Sequence, residues 1–136
     1  MDISFKRITI IRKVRPKESS LNEDLQWLSQ SLGLFGERDR EKSCFRVFLE
    51  LLKAEKEGKI LSSDVLAKRA HISRGTVIHH MTRLLESGLV TSTNKRYRLK
   101  VQDLEGLILG VEQEVYRVLE ELRSVAKEID EDLEVQ

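Results

Sequence analysis

A chain of 136 residues, 40% hydrophobic and 35% charged, has room for one small domain with extensions, since a single core ordinarily takes about 100 residues. Its longest apolar run, Leu107-Ile108-Leu109, is far short of the roughly 20 residues that span a bilayer, and the lone Cys44 cannot form an internal disulfide, so a cytoplasmic protein with no membrane partner is expected. The formal net charge of +1 hides a segregation: residues 1–20 carry +4, 21–61 carry −1, 62–101 carry +6 and 102–136 carry −8, so a polyanion would meet only the basic parts.

The opening ISFKRITIIRKV alternates apolar and polar residues, with Ile3 and Phe5 in one phase and Ile8 and Ile10 in the other, and reads as a strand bent near Arg7. Pro16 stops it. Ser20-Leu21-Asn22-Glu23 has capping-box spacing and opens a helix with Leu21, Leu25, Leu28 and Leu32 on one face, closed by Gly33 and Gly36. A second apolar-periodic helix is expected from about Arg38 to Glu57, turning Phe45, Phe48, Leu49 and Leu52 inward and ending at Gly58. Cys44, in CFRVFLELL, reads as a small buried apolar residue.

The run SSDVLAKRAHISRGTVIHHMTRLLESGLVTSTNKRYRLKV holds 8 Lys/Arg against 2 acids. Ser62 is placed to cap a short helix carrying Val65, Leu66 and Ala70 at helical spacing, with Ala67 small where helices cross. The turn His71-Ile72-Ser73 supplies one apolar residue and a second hydroxyl cap, so the next helix starts at a steep angle. Val77, Met81 and Leu84 are its inward residues, and Gly88 ends it. The opposite face carries Arg74, Gly75, Thr76, His79 and Arg83, while Ile78 stands between the two faces. A hairpin follows around Thr93-Asn94-Lys95, where Asn94 accepts a positive φ. Its return arm puts Tyr97, Leu99 and Val101 on one side and Arg96, Arg98 and Lys100 on the other.

Helix, turn, helix and basic ribbon in that order form the arrangement with which a winged helix grips duplex DNA. Side chains at the start of the second helix reach base edges in the major groove, and its amide dipole with Ser73 suits a phosphate. The fork of Arg74 matches O6 and N7 of guanine, which makes it the best single base-reading candidate. Thr76 and His79 are weaker candidates for bases or phosphates; Arg83, Lys95, Arg96 and Arg98 are candidates for backbone phosphates. His79 and His80 point about 100° apart on a helix and lack Cys or acidic companions, so no metal is expected. His80 reads as a histidine satisfied on the packing side. With no glycine-rich phosphate loop and no nucleophile beside a base, no enzyme is expected, and no motif implies a cofactor or an effector.

From Gln102 on, Leu104, Ile108, Val111, Val115, Val118, Leu122, Val125 and Ile129 follow 4,3 spacing without a miss, the seam of a coiled coil. Leu107 and Leu109 widen the apolar surface of the first two turns, which fits packing on the body. The later seam, with Glu112, Glu114, Glu120, Glu121 and Glu128 around it, calls for a partner, a second copy being the expected one. Asp132 falls on the next seam position, where fraying is expected. Gly106 and Gly110 would permit close packing.

The stretch ISRGTVIHHMTRLLESGLV with its basic hairpin resembles the recognition helix and wing of bacterial and archaeal winged-helix regulators, the arsenic-repressor and multiple-antibiotic-resistance types (ArsR/MarR-like) being nearest. The resemblance covers about residues 38–101. It implies a homodimer that docks paired recognition helices into successive major grooves, with Ser73, Arg74, Thr76 and His79 reading bases and Lys95 and Arg96 on the wing. The chain lacks the Cys-x-Cys pair and the C-terminal His of the metal-sensing branch, so that route of metal sensing is not implied. The basic leader and acidic tail lie outside the shared pattern and are similar to features of archaeal DNA-binding proteins with coiled-coil tails.

The resulting expectation is a mostly α protein with a small β wing (α+β), divided into a basic strand-and-helix extension (1–36), a winged helix-turn-helix domain (37–101) and a coiled-coil dimerisation helix (102–136). Its expected function is sequence-specific binding of double-stranded DNA in transcription regulation, as a homodimer. Two rivals are a protein-interaction subunit of a larger complex and an architectural chromatin protein. The leader has two readings, a minor-groove arm through Arg12, Lys13 and Arg15 or a strand paired with the partner subunit, the strand being preferred.

Overall fold

The computed structural model of the chain describes residues 9–15, 17–35 and 42–135. The part of the expected strand that precedes Thr9, its stop at Pro16, the Gly36 stop and the helix start at Arg38 lie outside them. Within the described residues the order is α1 (Leu21–Ser31), a 3-10 turn (Gly33–Phe35), α2 (Ser43–Lys56), β1 (Leu61–Ser62), α3 (Ser63–Ala70), α4 (Arg74–Glu86), β2 (Val90–Thr93), β3 (Arg96–Leu99) and α5 (Leu104–Val135). The fold is mostly helical, with one small antiparallel sheet in the order β1-β3-β2.

Local chemistry accounts for most boundaries. Ser20 and Glu23 close the reciprocal capping box of α1. Ser62 and Ser73 cap α3 and α4 by accepting from the amides of Val65 and Thr76. Gly58 and Gly88 follow α2 and α4 at φ of +72° and +82°, where a glycine has no Cβ to clash. In the wing turn both Asn94 and Lys95 take positive φ, a geometry matched to the twist of a two-residue hairpin.

The core forms where α2, α3 and α4 cross and is closed by the sheet. Leu66, Val77, Leu84, Leu89 and Val47 are fully buried, and Met81 nearly so. Phe35 packs against Phe45 and Phe48 at ring-centroid distances of 4.9 and 5.2 Å, which ties the end of the N-terminal extension into the same core. Cys44 is buried with them. Ser43 Oγ lies 2.6 Å from His80 Nε2, so His80 is held on the packing side as expected.

Several expectations need correction. The described leader makes one bridge, Ile10 to Leu32, instead of a continuing strand. Gly33 N–H donates to Thr9 C=O at 2.8 Å, and a Cβ on Gly33 would meet the Thr9 side chain, so this glycine admits the leader as well as ending a helix. Leu21 is 76% exposed, since the start of α1 overhangs the surface that Leu25, Leu28 and Leu32 cover. Val65 is exposed as well: Leu66 and Ala70 fill the α3 contact. The strand β1 went unseen because two residues cannot show a period; Leu61 and Ser62 pair with Tyr97 and Arg96 and make β3 the central strand.

Candidate nucleic-acid interface

The N-terminal edge of α4 and the wing face solvent. Ser73 Oγ accepts from Thr76 N–H at 3.1 Å and lies 2.8 Å from Thr76 Oγ1, so both hydroxyls are engaged locally while Ser73 remains exposed. Arg74, the first residue of α4, forms an ion pair from Nε to Asp64 Oδ1 at 3.1 Å, and both side chains stand well out in solvent. Gly75 is exposed, and a Cβ built on it meets nothing within 4 Å. His79 is exposed one turn on. Val77, Met81 and Leu84 anchor the opposite face, so this edge is carried on a rigid element.

Two candidate cations are engaged elsewhere. Arg83 Nη1 donates to the Phe35 carbonyl at 3.0 Å and clamps α4 to the 3-10 turn, so it is a structural tie before it is a phosphate ligand. Arg98 Nε pairs with Glu55 Oε1 of α2 at 3.3 Å, which partly neutralises the side of β3 expected to be wholly basic. Lys95 and Arg96, at the exposed tip of the wing, have no ion pair among the described residues, and Lys68 on the solvent side of α3 is in the same position. Neither Lys68 nor Asp64 stood out in the sequence. Their 4-residue spacing on the polar side of SDVLAKRA was the available signal.

Two of the leader cations, Lys13 and Arg15, are tied down as well. Arg15 pairs with Asp24 at 3.1 Å, Lys13 Nζ donates to Gln30 Oε1 at 3.4 Å, and Trp27 Nε1 donates to the Lys13 carbonyl at 3.1 Å. The Ser19 hydroxyl, and then Arg15, hold the Asp24 carboxyl below its usual range despite some desolvation. The described part of this segment follows α1.

The long helix α5 uses two faces. Asp103 accepts from Gly106 N–H at 2.7 Å at its start. Leu107, Gly110, Val111 and Glu114 are buried against the domain, with Leu104 and Val115 partly covered. Val111 and Leu104 are therefore used within the chain itself, whereas Ile108, from the same seam, is outward. Glu114, expected on the solvated flank, is buried beside Arg117 Nη1 at 3.4 Å, because the docked stripe 107/111/114 is rotated from the seam.

Beyond Val115 none of the described residues covers α5. Val118, Leu119, Leu122, Val125, Ile129 and Leu133 are 43–66% exposed. Val115, Val118, Leu122, Ala126, Ile129 and Leu133 follow spacing 3,4,4,3,4, an average of 3.6 that keeps the stripe straight along a straight helix. In that frame Leu133 takes the place of Asp132, and α5 runs on to Val135 without the expected fraying.

Residues 49–91, from the middle of α2 into the wing, match the family model of the winged helix-turn-helix DNA-binding domain. The chain carries a winged helix-turn-helix domain. No curated protein and no solved structure matches the chain. The matched stretch includes α3, the turn and all of α4, so the edge from Ser73 to His79 lies at the start of the second helix of the helix-turn-helix. Among the described residues no helix is long and apolar enough to cross a membrane, and no three His, Cys, Asp or Glu residues cluster as metal ligands.

Proposed function

We propose that the protein is a sequence-specific double-stranded DNA-binding transcription regulator that acts as a homodimer, reading bases with Ser73, Arg74, Gly75, Thr76 and His79 and gripping the backbone with the wing. The observation that carries the reading is the N-terminal edge of α4. It is capped, exposed, cationic at Arg74, open at Gly75, and held by a recognition helix whose other face is wholly buried. Lys95 and Arg96 supply phosphate contacts at the wing tip; Arg98 contributes after leaving Glu55, and Arg83 contributes least. The distal stripe of α5 supports the second half of the proposal, since each Val, Leu or Ile buried against a second copy is worth about 1.5–3 kcal/mol. The proposed organisation is an extension (1–36), the DNA-binding domain (37–101) and the pairing helix (102–136).

Titration of a selected duplex and a random duplex across a salt series tests this. The selected site is expected to bind at least ~10³-fold more tightly at physiological salt. Lys95→Ala is expected to weaken both duplexes alike and lower the salt slope by about 1. Equal binding to both duplexes would favour an architectural chromatin protein. Binding to neither would favour a protein-interaction subunit, with α5 docking a different chain.

A further inference from the structure

Residues 62–101 contain two acids, Asp64 and Glu86, and Glu86 sits at the far end of α4. Asp64 instead lies at the edge proposed to face DNA, 72% exposed, beside the guanidinium of Arg74. An ion pair this open to water adds little to stability. A carboxylate on a surface built for a polyanion also opposes binding, because it repels the phosphates that cations there attract. The start of α3 already has its cap in Ser62, so hydrogen bonding at that helix end does not require Asp64.

The contact runs through Nε of Arg74. Among the described residues neither terminal nitrogen of that guanidinium makes a hydrogen bond, so both remain available to a ligand. An opposite charge beside Nε biases the rotamers of Arg74 toward those that leave its two terminal N–H groups free to match O6 and N7 of a guanine. The adjacent negative charge also weakens the pull of Arg74 on any passing phosphate, while the directional pair of hydrogen bonds to a base edge is retained.

Resting on the DNA-reading role of α4, we propose that Asp64 is a positioning residue that makes Arg74 a reader of guanine instead of a general phosphate contact. Its test uses the full chain. Intact protein selects a duplex from a random pool, and wild type, Asp64→Asn, Arg74→Ala and the double variant are titrated against that duplex, the same duplex with the contacted guanine replaced, and random duplex. Wild type should discriminate against the replaced guanine by about tenfold or more, the range of one bidentate contact. Asp64→Asn should lose most of that discrimination and bind random duplex more tightly, with an unchanged melting temperature. The double variant should discriminate no worse than Arg74→Ala alone. If Asp64→Asn lowers the melting temperature, Asp64→Ser, which keeps a helix-start hydroxyl without charge, carries the same comparison. Undiminished discrimination in the Asp64 variants overturns the proposal. So does a changed preference at a base pair that Arg74→Ala leaves untouched, which would mean that Asp64 reads a base itself. A wild type that selects no sequence sinks the regulator reading and this proposal together, whereas a selective wild type with equally selective Asp64 variants sinks this proposal alone.

Discussion

Whether an arginine is available to a ligand depends on what its nitrogens already hold, and the arginines of this domain divide on that point. Arg83 donates to the Phe35 carbonyl, joining α4 to a turn 48 residues earlier. Arg83→Ala should therefore destabilise the fold by about 1 kcal/mol, seen as a fall of about 4 °C in melting temperature. Duplex affinity should change little in the same variant; a large loss of affinity at unchanged melting temperature would return Arg83 to the phosphate contacts. Helical spacing alone put Arg83 on the face of Arg74 and His79, and no local signal shows a carbonyl approaching from far along the chain. The pairing of Arg98 with Glu55 was hidden for the same reason. His80, Cys44 and the inward trio Val77, Met81 and Leu84 were legible because period and residue type agree there.

At the scale of elements, α4 carries a residue that its own stability does not explain. Gly75 follows the first residue of the helix, and the space its missing Cβ would occupy is open. Alanine is ordinarily better than glycine in a helix by roughly 0.5–1 kcal/mol, so Gly75→Ala should hold or raise the melting temperature. If DNA backbone or a base edge comes close at this point, the added methyl should weaken duplex binding. Retained affinity would place the nearest approach elsewhere on α4. Caps and glycine stops told where α1, α3 and α4 begin or end, because Ser20, Ser62, Ser73 and Gly88 act on neighbouring amides and carbonyls. Two elements were read imperfectly. The strand β1 is too short to carry alternation, and the docked face of α5 was read only in part: Leu107 packs on the body as expected, but Leu109 is exposed and Glu114 buried, because the docked stripe 107/111/114 shares only Val111 with the heptad seam.

For the whole molecule, the decisive feature is a helix of 32 residues, about 48 Å at 1.5 Å per residue, whose first turns belong to the domain and whose remainder none of the described residues covers. Leu122 lies near the middle of the uncovered stripe, 60% exposed. Leu122→Asp should convert a dimer to monomer in analytical sedimentation without lowering the melting temperature of the winged domain, because it places like charges in the proposed seam. A dimer that persists would move the interface to another surface. Paired subunits would present two recognition helices to one face of a duplex, with half-sites about 34 Å apart in an inverted repeat. The most direct measurement is a hydroxyl-radical footprint of the full chain on its selected duplex. The expected result is two protected patches related by two-fold symmetry and about one helical turn apart, both lost with Leu122→Asp at concentrations where wild type still binds. A single protected patch, or uniform protection along the duplex, would contradict a dimeric reader of sequence.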